Sequence, residues 1–149
     1  MLEQIGLRFE VESSDTKEEI DAALGHHELA KKLSLDKARA VAAKHKDALI
    51  ISADTFGVFR GQVLGKPHTK EAAAEMLRTL NGKMHSVVTG YTIIDTETGR
   101  AVSGSVVTKV YFRTLTADEI DAYVNSGEPM DKAGAYAIQG LGAVIVKCI

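Results

Sequence analysis

Hydrophobic and polar residues follow two different periods in the first third of the chain. Residues 7–11 carry an apolar side chain at every second position (Leu7, Phe9 and Val11), which is the period of a strand with one buried face. Residues 28–45 place apolar residues at near-helical spacing with charges between them, after a polar capping cluster at residues 13–15. This region is therefore predicted to form a strand followed by a helix.

The middle of the chain predicts a buried strand, a hairpin and a second helix. Residues 48–53 are a short apolar run that leads into Asp54 and Thr55. Residues 56–60 and 62–64 are predicted to form a hairpin around Gly61, and residues 65–67 a loop. Thr69 is expected to cap a helix over residues 70–80, which Gly82 ends.

The last third predicts two long strands and a third helix. Residues 86–95 and 101–113 are rich in Val, Thr and Tyr, with a turn at residues 95–99. Residues 116–119 have the pattern of a capping box for a helix over residues 118–125. Residues 131–149 combine several glycines with the apolar run 143–146. Together these elements predict a single α/β domain over residues 1–149, with a mixed, twisted sheet covered by helices, and leave its topology open.

Composition narrows the class of protein. The 149 residues carry 18 basic and 20 acidic side chains, so a broad positive field for nucleic acid is excluded, although a local patch is not. Apolar residues make up 45% of the chain, but no run approaches a membrane span, and the first residues do not resemble a signal peptide. The lone Cys148 excludes an internal disulfide and is expected in the core. The expected location is the cytoplasm, with no membrane and no nucleic-acid partner.

Several polar residues are placed where chemistry is expected. Asp54 follows a buried strand, where a carboxylate can hold a divalent cation or accept a proton from water; a turn or capping role is the alternative. The loop glycine before Lys66 lets an ammonium and backbone N–H groups approach an anion together. In residues 131–140, Lys132 and Gln139 add a charge and an amide suited to a nucleobase edge, or the stretch is simply a tight loop.

Lys37 is predicted to point inward because it lies four residues from both Leu33 and Val41 on the first helix. A buried ammonium needs an anion, either Glu18 or a ligand. The five histidines form no standard metal-binding spacing.

With these residues assembled, the chain resembles the Maf-like family of nucleoside triphosphate pyrophosphatases, historically called septum-formation proteins. The resemblance covers the whole chain and runs through several motifs in order. The matching segments are residues 6–11, 14–18, 36–40, 51–55, 64–67, 76–77, 80–82, 85–90, 112–115 and 131–140. The resemblance therefore implies a fold like that of Maf proteins and inosine triphosphate pyrophosphatase.

The resemblance also implies an activity. Members of this family hydrolyse the α–β phosphoanhydride of nucleotides to a monophosphate and pyrophosphate, with a divalent metal such as Mg²⁺ or Mn²⁺. Asp54 matches the proton acceptor for the attacking water, and Glu18 and Asp54 match positions near the metal. Cations around the phosphates and one base for water suit the hydrolysis of a polyanion.

The substrate-binding positions come from the same resemblance. Lys37, Lys66 and Lys132 match residues around the triphosphate, and Thr55 and Gln139 match positions that help to select the base. Residues 131–140 look like the branch of the family that acts on dTTP and UTP rather than the branch that prefers 7-methyl-GTP. Members are also proposed to slow cell division, and they often form homodimers.

The chain departs from the family pattern at both ends. It begins in the helix that follows the family's Ser-x-Ser-Pro-Arg-Arg loop, and it stops before an Asn-Val-Val-Gly-Leu-Pro segment and a closing helix. Lysines do not fully replace the two missing arginines, whose contacts to phosphate are often bidentate. Two alternatives to an active enzyme follow: a nucleotide-binding or division-regulating module without turnover, or a fragment that folds incompletely.

Overall fold

In the described part of the chain, segments rich in valine, threonine and isoleucine form a five-stranded sheet, and three helices cover it. The computed structural model describes residues 2–17, 19–21 and 23–149. The strands are β1 (Leu49–Phe59), β2 (Gln62–Leu64), β3 (Met84–Asp95), β4 (Ala101–Phe112) and β5 (Val146–Cys148). The helices are α1 (His26–Ala42), α2 (Lys70–Leu80) and α3 (Ala117–Asn125). Short 3₁₀ helices cover Glu3–Ile5, Glu128–Asp131, Ala133–Ala135 and Gly140–Ile145.

The strand order is β2-β1-β3-β4-β5, and all four pairings of these described strands are antiparallel. Asp54 lies opposite Gly90, and Thr55 lies opposite Thr89, in the long β1–β3 pair. The predicted class, a single α/β domain in which helices cover a sheet, is confirmed, but the described sheet is antiparallel throughout rather than a mixture of parallel and antiparallel strands. Among the described residues, no helix combines the length and the apolar character that crossing a bilayer requires.

The sheet separates two apolar clusters because successive side chains of a strand point to opposite faces. Helix α1 packs on one face, called here the α1 face, against residues of β1 and β3. This cluster contains Leu29, Ala30, Leu33, Phe56, Val58 and Val88. Helices α2 and α3 pack near one end of the other face, against Val110 and Phe112 of β4. The two clusters hold the helices on opposite sides of the same strands.

The predicted caps of α2 and α3 and the predicted turn between β3 and β4 are present. The Thr69 hydroxyl accepts a hydrogen bond from the Ala72 N–H at 3.2 Å, which caps α2. Thr116 and Glu119 form the predicted capping box of α3, in which each side chain accepts a hydrogen bond from the other residue's backbone N–H. The Asp95 carboxylate accepts hydrogen bonds from Thr98 in the turn between β3 and β4. These local signals act within a few residues, so they do not depend on the rest of the fold.

The N-terminal prediction was wrong. Residues 7–11 form no strand, and Leu7, Phe9 and Val11 are exposed. A strand needs backbone hydrogen bonds to a neighbouring strand, and none of the described strands pairs with this segment. The polar residues 13–15 cap no helix either, since α1 begins at His26 and ends at Ala42 rather than spanning residues 28–45.

The boundary predicted after Ala53 was also wrong. Strand β1 continues through Asp54 and Thr55 to Phe59, because β3 pairs with it over this whole stretch. Asp54 therefore lies within a strand rather than at its end. Cys148 is exposed on the three-residue strand β5, not buried in the core.

Candidate active site

A cavity of about 500 Å³ opens on the face of the sheet opposite α1, called here the cavity face. Its floor contains Thr55 of β1, Val87 of β3 and Thr108 and Val110 of β4. Its walls are Lys66 and the segment from Asp131 to Ile138, with Ile149 at the chain end. The Gly134 N–H donates a hydrogen bond to the Gly65 carbonyl at 3.0 Å, so the two wall segments are joined directly.

The polar side of this cavity is a small group of charges. The Lys132 ammonium donates hydrogen bonds to both carboxylate oxygens of Asp131 at 2.7 Å. These hydrogen bonds, with a smaller contribution from the charge of Lys66, hold the pKa of Asp131 below its usual range. Two cations and one carboxylate thus face the same space, and an anionic ligand there would compete with Asp131 for Lys132.

The remaining lining of the cavity is mostly apolar. Val87, Val110, Tyr136, Ala137, Ile138 and Ile149 contribute to it. An apolar space with a few convergent polar groups is the usual form of a small-molecule site. A ligand with one charged and one flat, weakly polar part suits this lining.

Asp54 lies on the opposite side of the sheet from this cavity. Its carboxylate pairs with the Lys37 ammonium of α1, and the two side chains are 10% and 23% exposed. The neighbouring Thr55 points to the cavity face, where its hydroxyl contacts that of Thr89 at 2.9 Å. The structure thus groups Thr55, Lys66 and Lys132 at one cavity and Lys37 with Asp54 on the α1 face. Lys37 does point inward, as the sequence predicts.

Polar contacts and one glycine hold α1 against the sheet beside Asp54. The Ser52 hydroxyl donates a hydrogen bond to the Ser34 carbonyl at 2.9 Å, and the hydroxyls of Ser34 and Thr92 are 2.9 Å apart. A Cβ on Gly90 would lie 2.0 Å from the Ala30 carbonyl oxygen, so the helix backbone approaches the sheet closely there. These contacts set the position of α1 and thereby bring Lys37 to Asp54.

Two further predicted site residues, Gln139 and Glu18, are not brought to the cavity by the described part of the structure. Gln139 is exposed, although the preceding residues Ala137 and Ile138 line the cavity. Glu18 lies outside the described residues. Among the residues that the structure describes, no group of three or more His, Cys, Asp or Glu side chains could hold a metal ion alone.

Sequence reasoning missed Asp131 and Tyr136 as parts of this cavity. Both lie in the stretch 131–140 that the sequence singles out, but no spacing rule distinguishes a lining residue from a supporting one. Tyr136 packs edge-to-face on Phe112 with ring centroids 4.6 Å apart. Only the packing of this stretch on β4 shows which side chains face the cavity.

His85 forms a hydrogen bond with Tyr136 beneath the cavity lining. It is 2% exposed, and its Nε2 lies 2.6 Å from the Tyr136 hydroxyl oxygen. Burial lowers the pKa of His85 from its ordinary 6.5 to about 4, because desolvation disfavours the charged imidazolium. The imidazole is therefore neutral at physiological pH.

We expect this histidine to make the protein sensitive to acid. Between pH 6.5 and about 4 the unfolded state binds a proton that the folded state does not, so stability falls as the pH falls. The slope is about 1.4 kcal/mol per pH unit, or about 3 kcal/mol in all. Chemical denaturation across this pH range should show a shallower decline for His85→Gln than for the unaltered chain. His68→Gln, at an exposed histidine, is the control that should keep the original slope.

Comparison with known proteins places this fold and cavity in a family. The family described as "Maf-like protein" matches residues 1–149. The dTTP/UTP pyrophosphatase of Desulforamulus reducens is 46% identical over 149 residues, which are all of this chain and 78% of that protein. The dTTP/UTP pyrophosphatase of Carboxydothermus hydrogenoformans is 49% identical over 98% of this chain and 78% of its own length. That of Methanococcoides burtonii is 48% identical over 97% of this chain and 74% of its own.

The chain therefore belongs to the Maf family. The resemblance that its motifs predicted is confirmed, and the relatives named above are hydrolases of nucleoside triphosphates.

Proposed function

We propose that this chain is a nucleoside triphosphate pyrophosphatase that hydrolyses dTTP and UTP to the monophosphate and pyrophosphate. The observation that carries the proposal is the cavity in which Thr55, Lys66 and Lys132 meet beside an apolar surface. Triphosphates present up to four negative charges, and the flat pyrimidine ring suits an apolar, aromatic wall. The names of three relatives at 46–49% identity support the same substrates.

The proposed binding mode follows the charges of the cavity. The phosphates lie toward Lys66 and Lys132, and the base lies among the apolar side chains. Thr55 and Gln139 select the base through a hydroxyl and an amide that can each donate and accept hydrogen bonds. In the β1–β2 pair, Gly57 lies opposite Leu64. Lys66 follows Leu64 by two residues and lines the cavity together with Thr55, at the edge of β1. The phosphate chain crosses this edge and reaches Asp54 and Lys37.

In this proposal Asp54 accepts the proton of the attacking water. The water oxygen bonds to the α-phosphorus, the bond from that phosphorus to the bridging oxygen breaks, and pyrophosphate leaves with the electron pair. Lys37 orients the Asp54 carboxylate through their ion pair and offers a cation to the phosphates. Positioning and charge stabilisation are what such a transfer requires of a protein.

A divalent cation, Mg²⁺ or Mn²⁺, is part of the proposal. Mg²⁺ is usually held by one or two carboxylates together with substrate phosphates, so Asp54 and a triphosphate form a suitable set of oxygen ligands, with Glu18 as a second carboxylate. When bound, the cation supplies charge neutralisation on the phosphates. Dependence on added metal is expected, and titration of activity with Mg²⁺ and Mn²⁺ after chelation measures it.

The test is pyrophosphate release from dTTP, UTP, 7-methyl-GTP and the common triphosphates. Turnover of dTTP and UTP well above the others supports the proposal. Preference for 7-methyl-GTP would contradict the proposed pyrimidine substrates. Absence of pyrophosphate release from every substrate would contradict the proposed hydrolysis.

Binding without turnover is the second candidate. The observation that favours it is the separation of Asp54 from the cavity, because the two lie on opposite faces of the sheet. It predicts nucleotide affinity in calorimetry without pyrophosphate release. A role in cell division would then rest on binding alone.

Substitution of the two cavity lysines tests the phosphate site. In Lys66→Met and Lys132→Met, the KM for dTTP should rise about 10- to 100-fold, because each change removes a charge-assisted hydrogen bond to phosphate. Lys109→Met is the matched control, since Lys109 lies on β4 between the lining residues Thr108 and Val110 but points to the other face. An equal effect in the control would contradict a specific phosphate site.

Two further expectations belong to this proposal. We infer a cytoplasmic location, where a free thiol such as Cys148 stays reduced. The homodimer that the family resemblance suggests is measured by light scattering after size-exclusion chromatography.

A further inference from the structure

Residues 137–142 form a closed loop at the rim of the cavity. The first two of them, Ala137 and Ile138, line the cavity, and Gln139 lies at the exposed tip. The Ala137 N–H donates a hydrogen bond to the Tyr123 hydroxyl at 3.3 Å. A Cβ on Gly142 would lie 2.2 Å from the Ala137 carbonyl oxygen, so the two ends of the loop are in contact.

One carboxylate, that of Glu128, holds the far end of this loop. Its Oε2 accepts a hydrogen bond from the Leu141 N–H at 2.9 Å, and its Oε1 accepts one from the Gly142 N–H at 2.8 Å. The Tyr123 hydroxyl donates to the same Oε1 at 2.9 Å. Glu128 is thus connected to both ends of the loop, directly at 141–142 and through Tyr123 at Ala137.

The loop backbone is shaped around this carboxylate. Gly140 has φ of 85°, and a Cβ at this position would lie 2.7 Å from Glu128 Oε2. The backbone hydrogen bonds from Leu141 and Gly142 lower the pKa of Glu128, so the carboxylate is ionised at neutral pH. Hydrogen bonds to a charged acceptor are the stronger kind, and here they act on a loop that has little side-chain packing of its own.

We propose that Glu128 is a positioning residue for nucleobase selection: it fixes residues 137–142 so that Ile138 and Gln139 meet the base in one geometry. The inference rests on the proposed function, because it takes a pyrimidine nucleotide as the ligand of the cavity. Glu128 itself does not line the cavity, so it acts only through the loop.

Selection needs a fixed loop because an amide discriminates between bases only when its donor and acceptor are held in register with the base edge. Uracil and cytosine differ at position 4, where uracil carries an acceptor oxygen and cytosine a donor amino group, and at N3, which donates in uracil and accepts in cytosine. A loop that moves by about an ångström lets the amide rotate and satisfy either base. Affinity for cytosine nucleotides then rises relative to uracil nucleotides.

Glu128→Gln tests the anchor with little change in shape. One carboxylate oxygen becomes an amide nitrogen, which donates, so at least one of the three hydrogen bonds is lost whichever way the amide turns. Glu119→Gln is the matched control, since Glu119 accepts charge-assisted hydrogen bonds from Arg113 and Thr116 but does not contact residues 137–142.

The first measurement is amide hydrogen exchange of Leu141 and Gly142 by NMR. In Glu128→Gln the exchange of these two amides should become at least about tenfold faster, and in Glu119→Gln it should not change beyond the global stability effect. Unchanged exchange of these amides in Glu128→Gln would show that Glu128 does not hold the loop.

The second measurement is the dissociation constant of non-hydrolysable α,β-imido analogues of dUTP and dCTP, which needs no turnover. The preference for the dUTP analogue should fall about tenfold in Glu128→Gln and Tyr123→Phe and stay unchanged in Glu119→Gln. Equal loss for both analogues, or no preference in the unaltered chain, would overturn the role in selection. If the unaltered chain prefers the dUTP analogue but releases no pyrophosphate from dTTP or UTP, the result would contradict the proposed hydrolysis. This inference would then still stand.

Discussion

Replacement of Asp54 by asparagine is expected to lower the rate of dTTP hydrolysis by a factor of about 10² to 10⁴. Asparagine keeps the size of the side chain but cannot accept a proton from water, and a general base contributes about that much. The nucleotide should still bind, because Lys66 and Lys132 in the cavity are untouched. Steady-state release of pyrophosphate gives kcat, and calorimetry gives the affinity.

Asp95→Asn is the control for this experiment. Asp95 is also an aspartate of the sheet, but its carboxylate accepts hydrogen bonds in the β3–β4 turn, far along the strand from Gly90, the residue opposite Asp54. Its replacement should cost about 1 kcal/mol of stability and leave kcat unchanged. If Asp54→Asn kept kcat within a factor of about three, Asp54 would not be the base.

Replacement of Gly90 by alanine is expected to destabilise the fold by about 3 kcal/mol or more. The new Cβ would lie 2.0 Å from the Ala30 carbonyl oxygen, and neither the sheet nor the helix backbone can move away cheaply. The midpoint of thermal unfolding should fall by about 10 °C for a chain of this size. Activity should also fall, because α1 carries Lys37 to Asp54.

Gly65→Ala is the control for the effect of adding a methyl group to a glycine. A Cβ at Gly65 meets no atom within 4 Å, and its backbone is not in the left-handed region. Its unfolding midpoint should therefore stay within about 2 °C of the unaltered chain. An equal loss at both positions would show that close packing of α1 is not the cause.

Helix caps and turns were predicted correctly where a side chain binds the backbone of a residue close to it in sequence. Thr69 and Thr116 cap the helices that they were predicted to cap, and Asp95 closes the predicted turn. Each contact joins residues three positions apart, so its geometry depends on the local backbone. The inward direction of Lys37 was predictable for the same reason, since helical spacing defines the face.

Strand predictions depended on neighbours that the sequence does not identify. Residues 7–11 have the period of a strand but pair with no described strand, whereas Asp54 and Thr55 continue β1 because β3 pairs with them. Hydrogen bonding across a sheet joins residues far apart in sequence. Alternation therefore shows that a segment can pair, not that it does.

The order of the motifs, the ends of α2 and α3, the turn between β3 and β4 and the family could be predicted from the amino-acid sequence, because each depends on residues close together in the chain. The tertiary structure decided which side chains share a space. It turned Asp54 toward α1 and Thr55 toward the cavity, although they are neighbours, because successive residues of a strand face opposite sides. It also joined Glu128 to Leu141 and Gly142, thirteen and fourteen residues away, through a folded loop whose shape no local pattern records.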